Sequence, residues 1–284
     1  MSQIVFYKVG TGLKNPFSFT NISKVGYTML DSGIRREKKM KLDHFVINVD
    51  EKYQKDKDII EGIRNKKFPY EPKWGKGTKG FKVSDLWIGN EYLEMVHILK
   101  KNGGGWIPEW TAKYNQGHRG VICIMLDVAN IDCIYQSLLE KGIQITKPEW
   151  LEFKWCFNLL TRKMPWRNCY IPFFENVPFQ IGFQEMKDDK SREFMNQYMV
   201  PNARDYGIDG IHRVVIKGQY TNRDFDMITK VFGERVQKDK NMVRVKLSEE
   251  QSFEFIEEVS YQIEMYTNSN TGKFIEIENV RIYC

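Results

Sequence analysis

One short pattern occurs twice along this chain and constrains its fold more than any other feature. In each copy a histidine begins an apolar segment, and a glutamate lies within a second apolar segment further along. The first copy contains His44 and Glu94, and the second contains His212 and Glu276. Such a repeat predicts a fold assembled from copies of one supersecondary unit. Imidazole and carboxylate groups are also common ligands of catalytic divalent metals.

The composition narrows the class of protein. A hydrophobic content of 42% beside 28% charged residues predicts a globular protein with a buried core. The net charge of +6 comes without a dense basic tract interleaved with aromatics, so we expect no nucleic-acid partner. No apolar run reaches the roughly 20 residues of a membrane span, and no signal peptide is recognisable. Five cysteines without a CxxC pair indicate free thiols, and these features together predict a cytoplasmic protein.

Residues 1–39 differ in character from the rest of the chain. They are rich in Gly, Ser, Thr, Asn and Lys and end in a string of Arg, Glu and Lys just before Met40. Purine-rich codons encode those last three residue types, and a bacterial ribosome-binding site is a purine-rich tract just before the start codon. We therefore expect residues 1–39 to be a translated leader before a true start at Met40. The alternative interpretation is a basic, flexible linker that follows an N-terminal strand.

From residue 40 onwards the patterning predicts three βαβββ units. Residues 40–190 contain two of them, each with an alternating first strand followed by an amphipathic helix and further strands. Residues 208–284 are predicted to form a third, βαβββ-like unit at the C-terminus, with a helix at 223–232 and an extra helix at 249–259. The predicted class is therefore α+β, built from tandem units.

The order of these motifs resembles the vicinal oxygen chelate superfamily, and within it the glyoxalase-like domain proteins. The resemblance rests on the opening Leu42-Asp43-His44, the Leu93-Glu94 strand, the helix and glycine of residues 132–143, and the aromatic region 166–181. It covers residues 41–186 well and 208–283 more weakly. It implies that two units curl into a cup-shaped half-barrel with a ligand pocket, and that the third unit decorates this cup or mediates a homodimer.

The same resemblance implies metal ligands at the start of strand one and the middle of strand four of each unit. His44 and Glu94 match those places in the first unit. The second unit has Val121 and Gly182 there, and neither binds a metal. Two protein ligands hold a metal poorly beside the usual three or four. The sequence thus favours a pocket in which His44 only forms hydrogen bonds over a divalent metal site at His44 and Glu94.

Four further residues are candidates for contact with a ligand. Trp166, Arg167 and Tyr170 combine an apolar wall with one cation, and Gln180 lies on the predicted last strand of the second unit. Packing alone would equally explain the aromatics. We predict a glyoxalase-like protein that binds a small oxygenated metabolite, with Glu94 as a catalytic group in lyase, isomerase or dioxygenase chemistry. The depleted second unit supports the alternative of a non-catalytic protein that binds or sequesters a small molecule.

Overall fold

The alternating apolar segments of the sequence form the strands of two seven-stranded sheets in the computed structural model. The structure describes residues 40–75, 77–155, 160–269 and 271–284, without the side chains of residues 153–162. The expected leader at residues 1–39 lies outside the described residues. The predicted α+β class is confirmed.

The first sheet is built from residues 40–186. Its strands are β1 (Met40–Asn48), β2 (Phe81–Ile88), β3 (Glu91–Ile98), β4 (Gly120–Val128), β5 (Glu149–Trp155), β6 (Leu160–Tyr170) and β7 (Gln180–Met186). Their order is β2-β3-β1-β4-β7-β6-β5, with β1 parallel to β3, β4 parallel to β7, and β1 antiparallel to β4 at the centre. Each half thus places its first and last strands side by side, and the sheet curls into the predicted half-barrel, which we call the cup.

Short capped helices connect the strands. They are α1 (Lys52–Lys55), α2 (Lys57–Arg64), α3 (Pro108–Asn115), α4 (Ile131–Glu140), α5 (Asp189–Asn196) and α6 (Asn222–Phe232). The side chains of Asp56 and Asn130 accept hydrogen bonds from the first-turn amides of α2 and α4, and Thr221 with Asp224 forms a capping box on α6. Among the described residues, no helix has the length and apolar character to cross a membrane.

The second sheet is formed by residues 211–283. Its strands are β8 (Ile211–Gly218), β9 (Val236–Asp239), β10 (Met242–Lys246), β11 (Ser252–Glu257), β12 (Gln262–Thr267), β13 (Phe274–Ile277) and β14 (Val280–Tyr283). Their order is β13-β14-β12-β8-β11-β10-β9, with β8 parallel to β11 and β12 parallel to β14. The C-terminal region therefore contains the expected βαβββ unit, β8 to β11 with α6, and also three strands of a further unit.

The extra helix predicted at residues 249–259 is wrong, because β11 occupies this segment. Phe253 and Phe255 are buried in the core, and Glu254 points to the opposite face, which is the two-residue period of a strand. The strand beside β8 thus carries Glu254. Glu276 lies on β13, three strands away from His212 on β8, so these two residues do not form a second site like that of His44 and Glu94.

The two sheets share one hydrophobic core. Phe45 and Ile47 of β1 belong to the same buried cluster as Val214 of β8 and Phe255 of β11. The faces of the two sheets that point away from this core are therefore the ones available for polar and ligand-binding groups. In the first sheet, that face is the interior of the cup.

Candidate functional site

A β-bulge in β1 brings Asp43 and His44 together in the cup. Leu42 pairs with Leu126 of β4 and His44 pairs with Met125, so Asp43 is an extra residue in the ladder. Successive residues of a regular strand point to opposite faces, whereas a bulge re-aims side chains. Here Oδ2 of Asp43 lies 2.6 Å from Nδ1 of His44. The bulge thus creates a contact between neighbouring residues that strand alternation would prevent.

The imidazole of His44 is buried between two carboxylates and an aromatic ring. Because an ionised carboxylate can only accept a hydrogen bond, Nδ1 of His44 carries a proton and donates a hydrogen bond to Asp43. Nε2 of His44 lies 3.9 Å from Oε2 of Glu94. The ring stacks on Tyr92 with 4.5 Å between centroids, and Trp87 packs on Tyr92 at 4.2 Å. His44 is therefore held with Nε2 directed toward Glu94.

The surroundings of His44 raise its pKa above the ordinary value of 6.5. Burial is the largest single influence and lowers the pKa. The hydrogen bond to Asp43 and the negative charge of Asp43 raise it, and the charges of Glu94 and Asp85 add to this effect. The raising influences together prevail. The two carboxylates thus favour the protonated form of the imidazole, and an imidazole can serve as a general acid or base.

The second half of the cup anchors Asp43. Nε2 of Gln184 on β7 donates a hydrogen bond to Oδ2 of Asp43 at 3.2 Å. Gln184 is buried and shares the face of Gly182, two residues earlier on β7. The second unit therefore acts on His44 through Gln184, which was not among the four predicted ligand-contact residues. Gln184 lies two residues after Gly182 on the same strand, and this spacing indicates that both residues face the cup.

In the second unit the place of Glu94 belongs to Gly182. Glu94 pairs with Val46 in the parallel ladder of β1 and β3, and Gly182 pairs with Met125 in that of β4 and β7. A Cβ atom at position 182 would lie 2.4 Å from Sδ of Met125 and 2.8 Å from the ring of Tyr170. These two side chains fill the space that a carboxylate would need.

The counterpart of His44 in the second unit is Cys123, two residues before Met125, so the assignment of Val121 is wrong. In the pairing of β1 with β4, Val46 lies opposite Cys123 and Ile47 lies opposite Val121, so one residue of β4 is skipped. Val121 consequently lies in the core between the sheets. Cys123 is buried, and burial raises the pKa of its thiol well above the ordinary value. It is therefore a neutral thiol at neutral pH.

This donor set does not fit a divalent metal. The second unit offers a neutral thiol and a glycine where the resemblance implied ligands, which leaves His44 and Glu94 as two donors. Within the described parts of the chain, no three histidine, cysteine, aspartate or glutamate side chains are grouped to hold a metal ion. Protein metal sites usually have three or four protein ligands. The chemistry available in the cup is that of proton donors and acceptors.

Helix α3 covers part of the cup and is fixed there by Gln180. Trp110 and Tyr114 of this helix belong to an apolar cluster with Val46 inside the cup. Nε1 of Trp110 donates to Oε1 of Gln180 at 2.7 Å, and Nε2 of Gln180 donates to the carbonyl of Ile171 at 2.7 Å. Both ends of the Gln180 amide are thus engaged within the protein.

The other three predicted contact residues lie on β6 and divide between its faces. Trp166 and Tyr170 share one face by alternation, and Tyr170 belongs to the cup cluster. Arg167 points to the other face, where it pairs with Asp132 of α4 and Glu185 of β7. The structure therefore brings Tyr170, but not Arg167, to the cup face that carries His44.

Solved structures share this fold at low sequence identity, whereas no family model and no curated protein matches the chain. A hypothetical protein from Staphylococcus aureus has a TM-score of 0.62 at 15% identity, covering 86% of this chain and 98% of that one. A hypothetical protein from Bacillus halodurans has a TM-score of 0.34 at 21% identity, over 52% of this chain and 96% of that one. Methylmalonyl-CoA epimerase from Mycobacterium tuberculosis has a TM-score of 0.35 at 14% identity, over 53% and 91%. The Staphylococcus aureus structure thus confirms the fold, and the glyoxalase-like specifics stay a prediction.

Proposed function

We propose that the cup binds a small oxygenated metabolite and that His44 transfers a proton on it. The observation that supports this proposal is the row Asp43–His44–Glu94, in which two carboxylates flank one buried imidazole of raised pKa. Histidine is the side chain that most often serves as a general acid or base. The substrate class that suits one such group is a carbonyl compound with a proton on the adjacent carbon, and the reaction class is isomerisation.

Each group of the row has a defined part in this chemistry. Neutral His44 accepts the proton from the carbon next to the carbonyl at Nε2, while its Nδ1–H stays hydrogen-bonded to Asp43. The electron pair of the broken C–H bond moves into an enolate. The charges of Asp43 and Glu94 stabilise the imidazolium that forms, as they raise the pKa of His44. Return of the proton to another position or face of the substrate completes an isomerisation.

The size of the ligand is limited by the side chains already inside the cup. Met125 and Tyr170 fill the space beside Gly182, and Trp110 with Tyr114 brings α3 onto the same apolar cluster. Next to His44, the ring of Tyr92 stacks on the imidazole, and Trp87 packs on Tyr92. A small, flat carbonyl compound therefore suits the cup better than a long chain.

Proton exchange with solvent tests the proposal directly. The protein is incubated in D₂O with hydroxyacetone and dihydroxyacetone, and loss of the carbon-bound proton signal is followed by NMR. We expect protein-dependent exchange that slows at least about 100-fold in His44→Gln. His212→Gln is the matched control, because His212 is exposed on the second sheet, and it should exchange as the parent does. Exchange at equal rates in His44→Gln and the parent would refute the role of His44.

A non-catalytic binding protein is the second candidate, and the filled space beside Gly182 favours it. One half of the cup floor has Met125 and Tyr170 where a second reactive group would stand. In that case the same two ketones would bind, with chemical-shift changes at His44 and Tyr92, and no exchange would follow. Binding together with exchange supports the isomerase proposal instead.

A further inference from the structure

The second sheet repeats the site positions of the first with different side chains. Val215 of β8 pairs with Glu254 of β11 in a parallel ladder, as Val46 pairs with Glu94 in the first sheet. Two residues before Val215 lies Arg213, whose NH1 is 4.0 Å from Oε2 of Glu254. An arginine–glutamate pair therefore occupies the place that the histidine–glutamate pair has in the cup.

A second arginine shares the same carboxylate. Nε and NH2 of Arg244 on β10 each lie 3.0 Å from Oε1 of Glu254. The side chain of Glu254 is 10% exposed, whereas those of Arg213 and Arg244 are 39% and 48% exposed. One nearly buried carboxylate thus holds two guanidinium groups whose remaining N–H donors reach solvent.

The ring of Tyr266 fixes Arg213 from its other side. The guanidinium carbon of Arg213 lies 4.0 Å from the centre of that ring, and Tyr283 stacks on Tyr266 at 4.8 Å. Guanidinium groups stack well on aromatic faces. Arg213 is therefore held by Glu254 and by an aromatic pair, which lowers the entropy lost when it binds an anion.

The two arginines line an open groove of about 310 Å³ together with Gln237, Lys246, Ser248 and Ser252. In the first sheet the equivalent face is covered by α3, which lies within residues 99–119 between β3 and β4. In the second sheet the connection between β11 and β12 is only residues 258–261. Within the described residues, the short connection therefore carries no helix that could cover the groove.

We propose that this groove binds a phosphate group, either as inorganic phosphate or on a small molecule, through Arg213 and Arg244. Planar guanidinium forks match phosphate oxygens in pairs, and the hydroxyls of Ser248 and Ser252 supply further donors along the same groove. The two arginines and Glu254 carry one net positive charge. This site is separate from the cup and does not depend on the function proposed for His44.

The rim of the groove limits the affinity to a modest value. Lys246 pairs with Glu249 at 2.7 Å, and Glu250 also lines the groove, so the field over it is close to neutral. Recognition then rests on directed N–H donors rather than on net charge. We expect a Kd on the order of 1 mM for inorganic phosphate, weakening as salt rises.

Titration calorimetry at constant ionic strength tests the site with inorganic phosphate, phenyl phosphate and acetate. Both phosphates should bind saturably, and acetate at least tenfold more weakly. Tighter binding of phenyl phosphate would identify a phosphate-bearing small molecule as the ligand, and equal binding would identify phosphate itself. Acetate binding as tightly as phosphate would overturn the assignment to phosphate.

The variants Arg213→Gln and Arg244→Gln should each lower the affinity for phosphate at least tenfold, and Arg213→Lys, which keeps the charge, should lower it less. Arg281→Gln is the matched control, because Arg281 lies on the same sheet and pairs with Glu276 outside the groove. Thermal unfolding of each variant verifies that it is folded. Absence of saturable binding in the parent, or equal affinities in Arg213→Gln and Arg281→Gln, would overturn the proposal.

Discussion

Gly182 occupies the place where the second unit of the cup would carry the equivalent of Glu94, and the side chains of Met125 and Tyr170 fill the space there. Sδ of Met125 and the ring of Tyr170 approach so closely that no Cβ atom fits at this position. Burial raises the pKa of Tyr170 above its ordinary value, so its hydroxyl is neutral at neutral pH. At the scale of single residues, the half of the cup that lacks an equivalent of Glu94 is therefore closely packed rather than open.

Gly182→Ala should destabilise the protein by about 1–3 kcal/mol, because the added methyl group overpacks a closed space. Met125→Ala combined with Gly182→Ala should cost less than the sum of the two single changes, since Met125→Ala removes the nearest contact of the added methyl group. Urea unfolding measures the two single variants and the double variant. The control is Gly62→Ala in α2, where a Cβ meets nothing within 4 Å and helix propensity predicts a gain of up to about 1 kcal/mol. A neutral Gly182→Ala would contradict the packing described here.

At the scale of elements, regular strands were predictable from the sequence and departures from regularity were not. The apolar alternation around His44 and Glu94 predicts the strands β1 and β3. The bulge at Asp43 is set by pairing with β4, in which Met125 lies 81 residues after its partner His44. No local sequence pattern therefore predicts the bulge. The glutamate-rich segment 249–259 was predicted to be a helix, whereas burial of Phe253 and Phe255 against the core selected a strand.

The contact between α3 and the sheet could not be predicted either, because it also joins residues that are far apart in the chain. Gln180 was predicted from its strand position to face a ligand, and the structure pairs it with Trp110 from a connection whose path the sequence does not define. A buried polar group needs a partner wherever the fold supplies one. A strand position alone thus indicates the face of a side chain, but it does not identify the partner.

Trp110→Phe should lower the free energy of unfolding by about 2 kcal/mol. The change removes the indole N–H and leaves Oε1 of Gln180 buried without its donor. Trp74→Phe is the matched control, because Trp74 is 53% exposed, and its effect should stay within about 0.5 kcal/mol. Equal unfolding midpoints for the two variants in urea would show that the hydrogen bond does not hold α3 in place.

At the scale of the whole molecule, the two sheets are joined by a polar network beside their common core. The carboxylate of Glu91 on β3 accepts hydrogen bonds from the backbone N–H of Ile211 at 3.3 Å and from Nε2 of Gln251 at 2.9 Å. Oε1 of Gln251 in turn accepts from the backbone N–H of Leu42. Burial raises the pKa of Glu91 to about 7, although these hydrogen bonds act to lower it. The junction between the sheets therefore contains a group that titrates near neutral pH.

Glu91 should make the protein less stable as the pH rises. Its pKa is about 7 in the folded state and near 4.5 when unfolded, so the folded state binds more protons between these values. The contribution of Glu91 to stability is fully present below pH 4.5 and is lost as the pH rises through 7, by about 3 kcal/mol in total. Glu91→Gln should remove this loss, and Glu276→Gln, an exposed control, should not. Urea unfolding from pH 5 to 8 checks this; parallel pH profiles for Glu91→Gln and the parent would contradict it.

The central claim is that Asp43 orients His44 and raises its pKa, so that the imidazole can transfer a proton in the cup. An NMR titration of the imidazole nitrogens of His44 tests this most directly. We predict a pKa above 6.5 in the parent and a lower pKa in Asp43→Asn, while the pKa of His118, which hydrogen-bonds the carbonyl of Val121, is the same in both. A pKa at or below 6.5 in the parent, or one that Asp43→Asn leaves in place, would contradict the account.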